Sequence, residues 1–372
     1  MECGSAGRGR AMDVDTCALD CCARNTEKEK YSPAVTCHEL RDGSGRLYVW
    51  RLLSSVTVKR RKSWLLAASA LASSSLGISG PALAQCVGTP DNVTCSPGGN
   101  PYASGINVNT NNTTINLTLQ PGVNVTIPAG LPGVNAVNAA NTTGPTATSA
   151  PITITADGVT ILNNNNPTGN NQTGLRIQSS GNANITATNT TINLSGTASD
   201  FALYAIVLNG GAPHDASVNL TQGTVVTSSG IEAGAIQADN RGNGNATIVA
   251  SGTITVTPNA GVGNGTTQYG LLAHAENLAG VAGAGGASVT FDSGTLNVSA
   301  VRPRGILAWV DGNGSATVNT GAGTVINVSG TQFGGPAVYA FSSGTATAPN
   351  AVTANVASSI LSVGPATTDP SN

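Results

Sequence analysis

The feature that most constrains this fold is a frame of three short β-prone runs that recurs through the second half of the chain. In one copy the runs span residues 305–310, 315–319 and 324–329, separated by the turn-forming sequences DGNG and TGAG. Runs this short between Gly, Asn and Asp corners cannot form helices of ordinary length. They are typical of strands that meet at tight corners.

Each copy of the frame opens with a small residue followed by an aliphatic one. These anchor pairs are Gly174-Leu175, Ala205-Ile206, Ala235-Ile236, Gly270-Leu271, Gly305-Ile306 and Ala337-Val338, at intervals of 31, 30, 35, 35 and 32 residues. Gly133-Val134 is interpreted as an earlier, degraded copy. A fixed period in this range indicates stacked repeats. Low complexity alone is the alternative, but the aliphatic positions keep their register as well as the glycines do.

Because every unit consists of strands, the period favours a β-solenoid over a helical array. We predict an all-β fold: a right-handed parallel β-helix with three strands per coil and coils of about 30–35 residues. The predicted helix spans residues 131–363, after an N-terminal cap and first strands at 85–130 and before a tail or linker at 364–372.

The composition excludes two classes of protein. Only 9% of the residues are charged and only 3% are aromatic, while β-branched residues are frequent, which does not fit a disordered chain. A net charge of −2, with no lysine after Lys62, provides no basic surface for nucleic acid.

Residues 1–58 differ from the rest, because they hold five of the seven cysteines and both methionines without any periodic pattern. We expect a disordered, unstructured leader there. Two interpretations stay open: the leader is not part of the biological product, which then starts near Val56 or Val58, or it is an extended natural leader.

Residues 59–84 have the pattern of a secretory signal peptide. The basic sequence KRRK at 59–62 precedes a short apolar run, and ALA at 82–84 supplies the cleavage signal. The apolar run is interrupted by serines and is too short for a membrane-spanning helix. We therefore predict cleavage between Ala84 and Gln85. Only Cys86 and Cys95 would remain in the mature chain, and we expect them to form a disulfide that caps the N-terminal end of the solenoid.

With the signal peptide, the short Cys86–Cys95 loop followed by SPGGNPYASGINVNT, and repeats such as GASVTFDSGTLNVS, residues 84 to about 364 resemble the passenger region of bacterial autotransporters. The resemblance implies a parallel β-helix that is secreted through a C-terminal β-barrel, and we expect that barrel to be missing from residues 1–372. It also implies export to the cell surface, the outer membrane or the extracellular space of a Gram-negative bacterium. The expected function of this passenger fragment is structural or adhesive, with a protein or glycan on a host or neighbouring cell as partner.

No catalytic constellation is recognisable in the sequence. Most acids occur singly at Gly/Asn turns, His214 and His274 are the only histidines after residue 84, and neither a G-x-S-x-G elbow nor a calcium-binding nonapeptide occurs. We expect no catalytic residues, no cofactor, no metal site and no enzymatic activity. The alternative is a secreted β-helix enzyme that acts on polysaccharide, a lyase or glycoside hydrolase, which requires acids and a base to converge in a groove when the coils stack.

Strand alternation sorts the first strand of each copy into two faces. The positions assigned to the inward face are apolar in every copy: Leu175, Ile177, Ile206, Leu208, Ile236, Ala238, Leu271, Ala273, Ile306, Ala308, Val338 and Ala340. On the outward face, the last three copies carry apolar and aromatic residues instead of polar ones. We call these six residues the contact patch: Leu272, His274, Leu307, Trp309, Tyr339 and Phe341. The alternative is that loops such as residues 259–268 cover them.

Overall fold

The structure is a computed structural model, and the residues that it describes fall into two compact units, Met1–Ser75 and Leu76–Asn372. The described residues are 37–41, 47–51, 86–89, 91–138, 150–163, 172–195, 201–208, 213–230, 234–258, 267–276, 285–330, 334–344 and 351–364. In the first unit, strands β1 (Cys37–Arg41) and β2 (Leu47–Arg51) pair antiparallel. They lie within the segment for which we expected no structure.

The second unit is built from short strands that begin and end at Gly, Asn and Asp corners. In chain order they are β3 (Cys86–Thr89), β4 (Asn92–Cys95), β5 (Ile106–Asn109), β6 (Ile115–Leu119), β7 (Asn124–Ile127), β8 (Val134–Val137), β9 (Ile152–Asp157), β10 (Thr160–Asn163), β11 (Thr173–Ser179), β12 (Ala183–Thr188), β13 (Thr191–Ser195), β14 (Phe201–Val207), β15 (Ala216–Leu220), β16 (Val225–Gly230), β17 (Gly234–Asn240), β18 (Ala246–Pro258), β19 (Thr267–Glu276), β20 (Ala287–Ala300), β21 (Arg302–Asp311), β22 (Ala316–Thr320), β23 (Val325–Gly330), β24 (Val338–Ser342), β25 (Val352–Val356) and β26 (Ser359–Val363). Pro97–Gly99 form a short 3-10 helix. Among the described residues, no helix has the length and apolar character needed to cross a membrane.

Two sheets contain these strands. The eight-stranded sheet has the order β24-β21-β19-β17-β14-β11-β8-β5, and all of its neighbours pair in parallel. The sixteen-stranded sheet holds the other strands of this unit, which lie before, between and after these members in the sequence. Because each crossover passes through the other sheet, the arrangement is all-β with stacked parallel strands, as a β-solenoid requires.

The sixteen-stranded sheet is continuous because β18 and β20 turn a corner without ending. β18 pairs with β15 along its first part and with β16 along its second part. At the corner, Gly252 and Gly294 stack on each other and have φ angles of 112° and 110°. A Cβ atom on Gly294 would lie 2.0 Å from the carbonyl oxygen of Gly252, so the corner requires glycine.

At the N-terminal end of the unit, β3 and β4 form an antiparallel hairpin, and β4 then pairs in parallel with β6. A disulfide joins Cys86 to Cys95 across this hairpin. The cleavage site between Ala84 and Gln85, the rest of the signal peptide and residues 365–372 of the tail lie outside the described residues. The predicted boundaries at these places stay predictions.

The register of the eight-stranded sheet agrees with five of the predicted anchor pairs and with the degraded copy. Leu271 pairs with Ile236 on one side and with Ile306 on the other, and Ile306 pairs with Val338. Val134 pairs with Leu175, so the degraded copy occupies the same column.

One anchor pair was wrong. Leu175 pairs with Leu203, and Leu203 pairs with Ile236, so the pair in this copy is Ala202-Leu203 and the intervals are 28 and 33 residues. β14 has the sequence FALYAIV, which contains two small–aliphatic pairs three residues apart. A shift of three residues exchanges the two faces of a strand. Hence Ile206 lies on the outward face, outside the core cluster, and the inward assignment of Ile206 and Leu208 is corrected.

The core consists of columns of apolar side chains that run through all the repeats. In the second and third strands of the copies, the column residues pair with one another and are at most 1% exposed: Ala183, Ala216, Ala246, Ala287 and Ala316, and Ile192, Val226, Ile254, Leu296 and Ile326. Each fully buried Val, Leu or Ile side chain stabilises the fold by about 1.5–3 kcal/mol, and each buried alanine methyl by about 0.8 kcal/mol. The repeated apolar positions therefore hold the stack together.

Asparagine side chains add ladders on the outside of the strands. Asn116 donates to Asn92 at 3.3 Å, Asn135 to Asn107 at 3.0 Å and Asn327 to Asn297 at 2.8 Å, each between paired positions of neighbouring strands. This agrees with the high Asn content of the chain, because an outward amide can both donate to one rung and accept from the next.

Candidate functional site

The outward face of the eight-stranded sheet carries the predicted contact patch. Its register places Leu272 beside Leu307 and His274 beside Trp309, and the next strand adds Tyr339 and Phe341. The six residues therefore lie in two adjacent columns on β19, β21 and β24, as the alternation predicted.

The exposure of these residues corrects the patch. Leu307 is fully buried and Leu272 is only 7% exposed, yet neither belongs to the core cluster. Both leucines are covered on the outward face and are not available to a ligand. Tyr339 is 41% exposed, and Trp309 and Phe341 are half-buried, so these aromatic residues form the accessible part of the patch.

The accessible aromatic rings pack in a chain. The rings of Tyr339 and Phe341 are stacked with centroids 6.1 Å apart, and Phe341 meets Trp309 edge-on at 5.9 Å. The Trp309 ring in turn meets His274 edge-on at 5.6 Å. Such contacts fix the ring orientations, so the aromatic residues present a rigid surface.

Next to the aromatic chain lies a cluster of ionisable side chains, which we call the polar cluster. Its members project from outward positions of β17, β19 and β21, or follow directly after them: Asp239, Arg241, His274, Glu276 and Asp311. The sheet register pairs Asp239 with His274 and Glu276 with Asp311. Residues that are far apart in sequence therefore meet because their strands are neighbours.

Asp239 is the centre of the polar cluster, and its side chain is only 2% exposed. Its Oδ2 atom accepts hydrogen bonds from the Tyr204 hydroxyl at 3.2 Å and from Nε of Arg241 at 3.1 Å. Nε of Arg241 also lies 3.4 Å from Oε2 of Glu276. One oxygen of the buried carboxylate is thus well satisfied.

The second carboxylate oxygen of Asp239, Oδ1, differs from Oδ2 in its hydrogen bonding. Oδ1 lies 3.3 Å from Nδ1 of His274, a contact with the separation of an ion pair but without the alignment of a hydrogen bond. By hydrogen-bond geometry, Oδ1 is therefore buried without a partner. A buried carboxylate oxygen without a hydrogen bond is costly, and its presence needs an explanation.

His274 is held on its other side by Asp311. Nε2 of His274 lies 3.0 Å from Oδ2 of Asp311, and Oδ1 of Asp311 accepts a 2.7 Å hydrogen bond from the Trp309 indole. Burial lowers the pKa of His274, but the close contacts with the negatively charged Asp239 and Asp311 carboxylates outweigh it, so the pKa is raised above its ordinary value.

Two neighbours of Asp239 respond to its charge. Burial raises the pKa of Tyr204, and the negative charge of Asp239 raises it further, so Tyr204 stays a neutral hydrogen-bond donor. Burial lowers the pKa of Arg241, but the charge of Asp239 outweighs it and the net pKa is raised. Both residues therefore donate to Asp239 at any ordinary pH.

The polar cluster was not predicted from the sequence, because each acidic residue was considered only within its own turn and not beside residues of the neighbouring repeats. The signal was present: Asp239 and His274 are 35 residues apart, which equals the interval between Ile236 and Leu271 in the anchor column. Aligning the copies by register would have placed the carboxylate beside the imidazole. Acids and a base, which are one part of the mark that we set for a polysaccharide enzyme, therefore do meet here on the outward face of the sheet.

A second concave region lies far along the sequence from this cluster. A cavity of about 610 Å³ is lined by Asp91, Thr110, Asn111, Thr113 and Thr114. The described residues of its lining include one acid and no histidine, so they do not provide an acid–base pair. The outward face with the aromatic chain and the polar cluster remains the candidate site.

Comparison with protein-family models, curated proteins and solved structures gave no match to this chain, so its function is argued from the geometry of this site.

Proposed function

We propose that this chain is an exported surface protein with a structural or adhesive role, of the kind found in autotransporter passengers. Its architecture would be a right-handed parallel β-helix with three strands per coil and coils of about 30–35 residues. The resemblance of residues 84 to about 364 to passenger regions supports export and a translocator β-barrel as partner. The proposal assigns the chain no catalysis and no cofactor.

The observation that carries the adhesive role is the accessible aromatic chain of Trp309, Phe341 and Tyr339. In a chain with only 3% aromatic residues, three of them lie together on one face, at one end of the stack. Aromatic side chains supply much of the binding energy at protein interfaces, and their flat faces also suit sugar rings. The expected ligand is a protein or glycan on a host or neighbouring cell.

The binding experiment uses the full chain on glycan arrays and on whole cells. The triple variant Trp309→Ala, Tyr339→Ala, Phe341→Ala should lose at least tenfold in affinity. A matched control is Val225→Ala with Val325→Ala, because these residues are 40% and 36% exposed but lie on the other sheet. Equal binding by the triple variant and the wild type would contradict the role of the aromatic chain.

Export is tested separately by N-terminal sequencing of protein secreted from a Gram-negative host. We expect a mature chain that begins at Gln85. Secreted protein that still carries residues 1–58, or retention of the whole chain in the cytoplasm, would contradict the proposal.

A second candidate function is favoured by the polar cluster. Asp239, Glu276 and His274 bring two acids and a base together, which is the requirement for a polysaccharide lyase or hydrolase. However, Oδ2 of Asp239 is already engaged by Tyr204 and Arg241. The adhesive and enzymatic functions are distinguished by incubating the protein with acidic and neutral polysaccharides and measuring new reducing ends. Turnover that is lost in His274→Gln would establish the enzyme and contradict the first proposal.

A further inference from the structure

We propose that the polar cluster binds a divalent transition-metal ion of the zinc type, through Oδ1 of Asp239, Nδ1 of His274 and the Glu276 carboxylate. The inference goes beyond the adhesive role and is independent of it, because it concerns the affinity of three side chains for an ion. It stands whether or not the chain is exported or adheres to anything.

The first argument is the spacing of the donor atoms. One donor atom from each of Asp239, His274 and Glu276 lies within 4.8 Å of the other two. The Oδ1 atom of Asp239 and Nδ1 of His274 are 3.3 Å apart. In a tetrahedral site with ligands about 2.1 Å from zinc, the distance between two ligand atoms is about 3.4 Å. The aspartate–histidine edge therefore already has the length that the ion requires.

The second argument is the unsatisfied oxygen. Oδ1 of Asp239 belongs to a side chain that is 98% buried, and it has no hydrogen-bond partner. The other oxygen of this carboxylate, Oδ2, is satisfied, because Tyr204 and Arg241 both donate hydrogen bonds to it. The free oxygen faces the imidazole edge of His274. A cation between Oδ1 and Nδ1 would satisfy it.

The third argument is the orientation of His274. When Nε2 carries the proton and donates it to Asp311, Nδ1 has a lone pair directed toward Asp239. A histidine that binds a metal through one nitrogen and donates to a carboxylate through the other is the common arrangement in metal sites. Trp309 fixes Asp311 through a 2.7 Å hydrogen bond, so the supporting carboxylate is itself positioned.

The type of ion follows from the donor atoms. An imidazole nitrogen with two carboxylates suits zinc and its neighbours in the first transition row, whereas calcium and magnesium prefer oxygen ligands alone. With three protein ligands, the ion would keep a position for water or for a group of another molecule.

The competing interpretation is a closed ion-pair network. Arg241 provides one positive charge to Asp239 and Glu276, and a protonated His274 would provide a second. In that case the cluster is already neutralised and has no affinity for metal. The two interpretations differ in the effect of removing Arg241. If the cluster is a metal site, the change removes a positive charge that repels the metal ion. If it is a closed ion-pair network, the change removes the main cation of that network.

The experiment titrates ZnCl₂ into the full chain by calorimetry, after dialysis against a chelator and alkylation of free thiols. The alkylation matters because residues 1–58 hold five cysteines that would bind zinc on their own. We expect one bound zinc per chain, and affinity at least tenfold weaker in both Asp239→Asn and Glu276→Gln. Arg241→Gln should bind zinc more tightly than the wild type, and CaCl₂ should give no comparable binding.

The matched control is Asp292→Asn, because Asp292 is an exposed acid on β20, outside the cluster. It should bind zinc like the wild type. Circular dichroism checks the folding of each variant, and Glu276→Gln decides if Asp239→Asn does not fold, because the Glu276 side chain is 37% exposed. Zinc affinity unchanged in Glu276→Gln, or no zinc binding by the folded wild type, would overturn the proposal.

Discussion

On the inward face of the eight-stranded sheet, the column that contains Leu271 and Ile306 is aliphatic in all the repeats that the structure describes. The outward column beside it varies between polar, aliphatic and aromatic residues: Arg176, Tyr204, Gln237, Leu272, Leu307 and Tyr339. The inward column has to fill the same space between identical neighbours in each repeat. The outward column has no such constraint, so differences between its members carry the information about function.

The largest expected effect comes from breaking the inward column with Ile306→Asp. Ile306 is fully buried in the core, and an unpaired carboxylate there costs several kcal/mol or is forced into its neutral form. We expect a loss of about 4 kcal/mol or more, measured as the free energy of unfolding in urea. Ile306→Val is the control, and it should cost only about 1 kcal/mol.

The next effect tests the outward leucine with Leu307→Asp. Leu307 is fully buried but lies outside the core cluster, so its carboxylate can reach solvent by a smaller rearrangement than one at position 306. We expect destabilisation of about 2–3 kcal/mol, clearly less than for Ile306→Asp. If Leu307→Asp is the more damaging change, Leu307 contributes more to the fold than the core column does, and the comparison between the faces fails.

The position of a residue in the fold could be predicted from the sequence where the neighbouring repeats impose the same requirement on it. The anchor pairs at Ile236, Leu271, Ile306 and Val338 were predictable, because the same aliphatic requirement recurs at each rung. The prediction failed at β14, where FALYAIV offers two equivalent pairs and only the pairing of Leu203 with both neighbours decides between them.

The candidate site was less predictable for a physical reason. The burial of Leu272 and Leu307 depends on what covers the outward face, which strand alternation does not describe. The polar cluster depends on contacts between repeats, so acids that look isolated at their own turns become neighbours only after the register is known. An outward residue gets its role from side chains about one repeat away in sequence.

A smaller effect concerns the pH dependence of stability, which should differ in direction between His274 of the polar cluster and His214. The raised pKa of His274 means that its protonated form stabilises the fold fully below the unfolded pKa of about 6.5. That stabilisation is lost as the pH rises through the higher folded value. His274→Gln should therefore remove a fall in the free energy of unfolding above about pH 6.5, measured in urea with chelator present.

His214 is the control for the sign of this effect. Burial lowers its pKa despite the nearby charge of Asp215, so the unfolded chain binds the proton more tightly than the folded one. Stability from this residue is therefore lost as the pH falls below about 6.5, the opposite direction. His214→Gln should remove a loss of stability at acidic pH. The same pH response in both variants would contradict the assigned environments.

The smallest expected effect is that of Tyr339→Ala on stability. Tyr339 is 41% exposed and stacks on the ring of Phe341, so the free energy of unfolding should fall by only about 0.5 kcal/mol. The same substitution at Tyr102 is the matched control, because Tyr102 is fully buried and its hydroxyl donates to the Ser96 carbonyl at 2.8 Å. There the loss should be about 3 kcal/mol or more. A large loss at Tyr339 would mean that the aromatic chain stabilises the end of the stack, and an unchanged fold would leave its ring free for a partner.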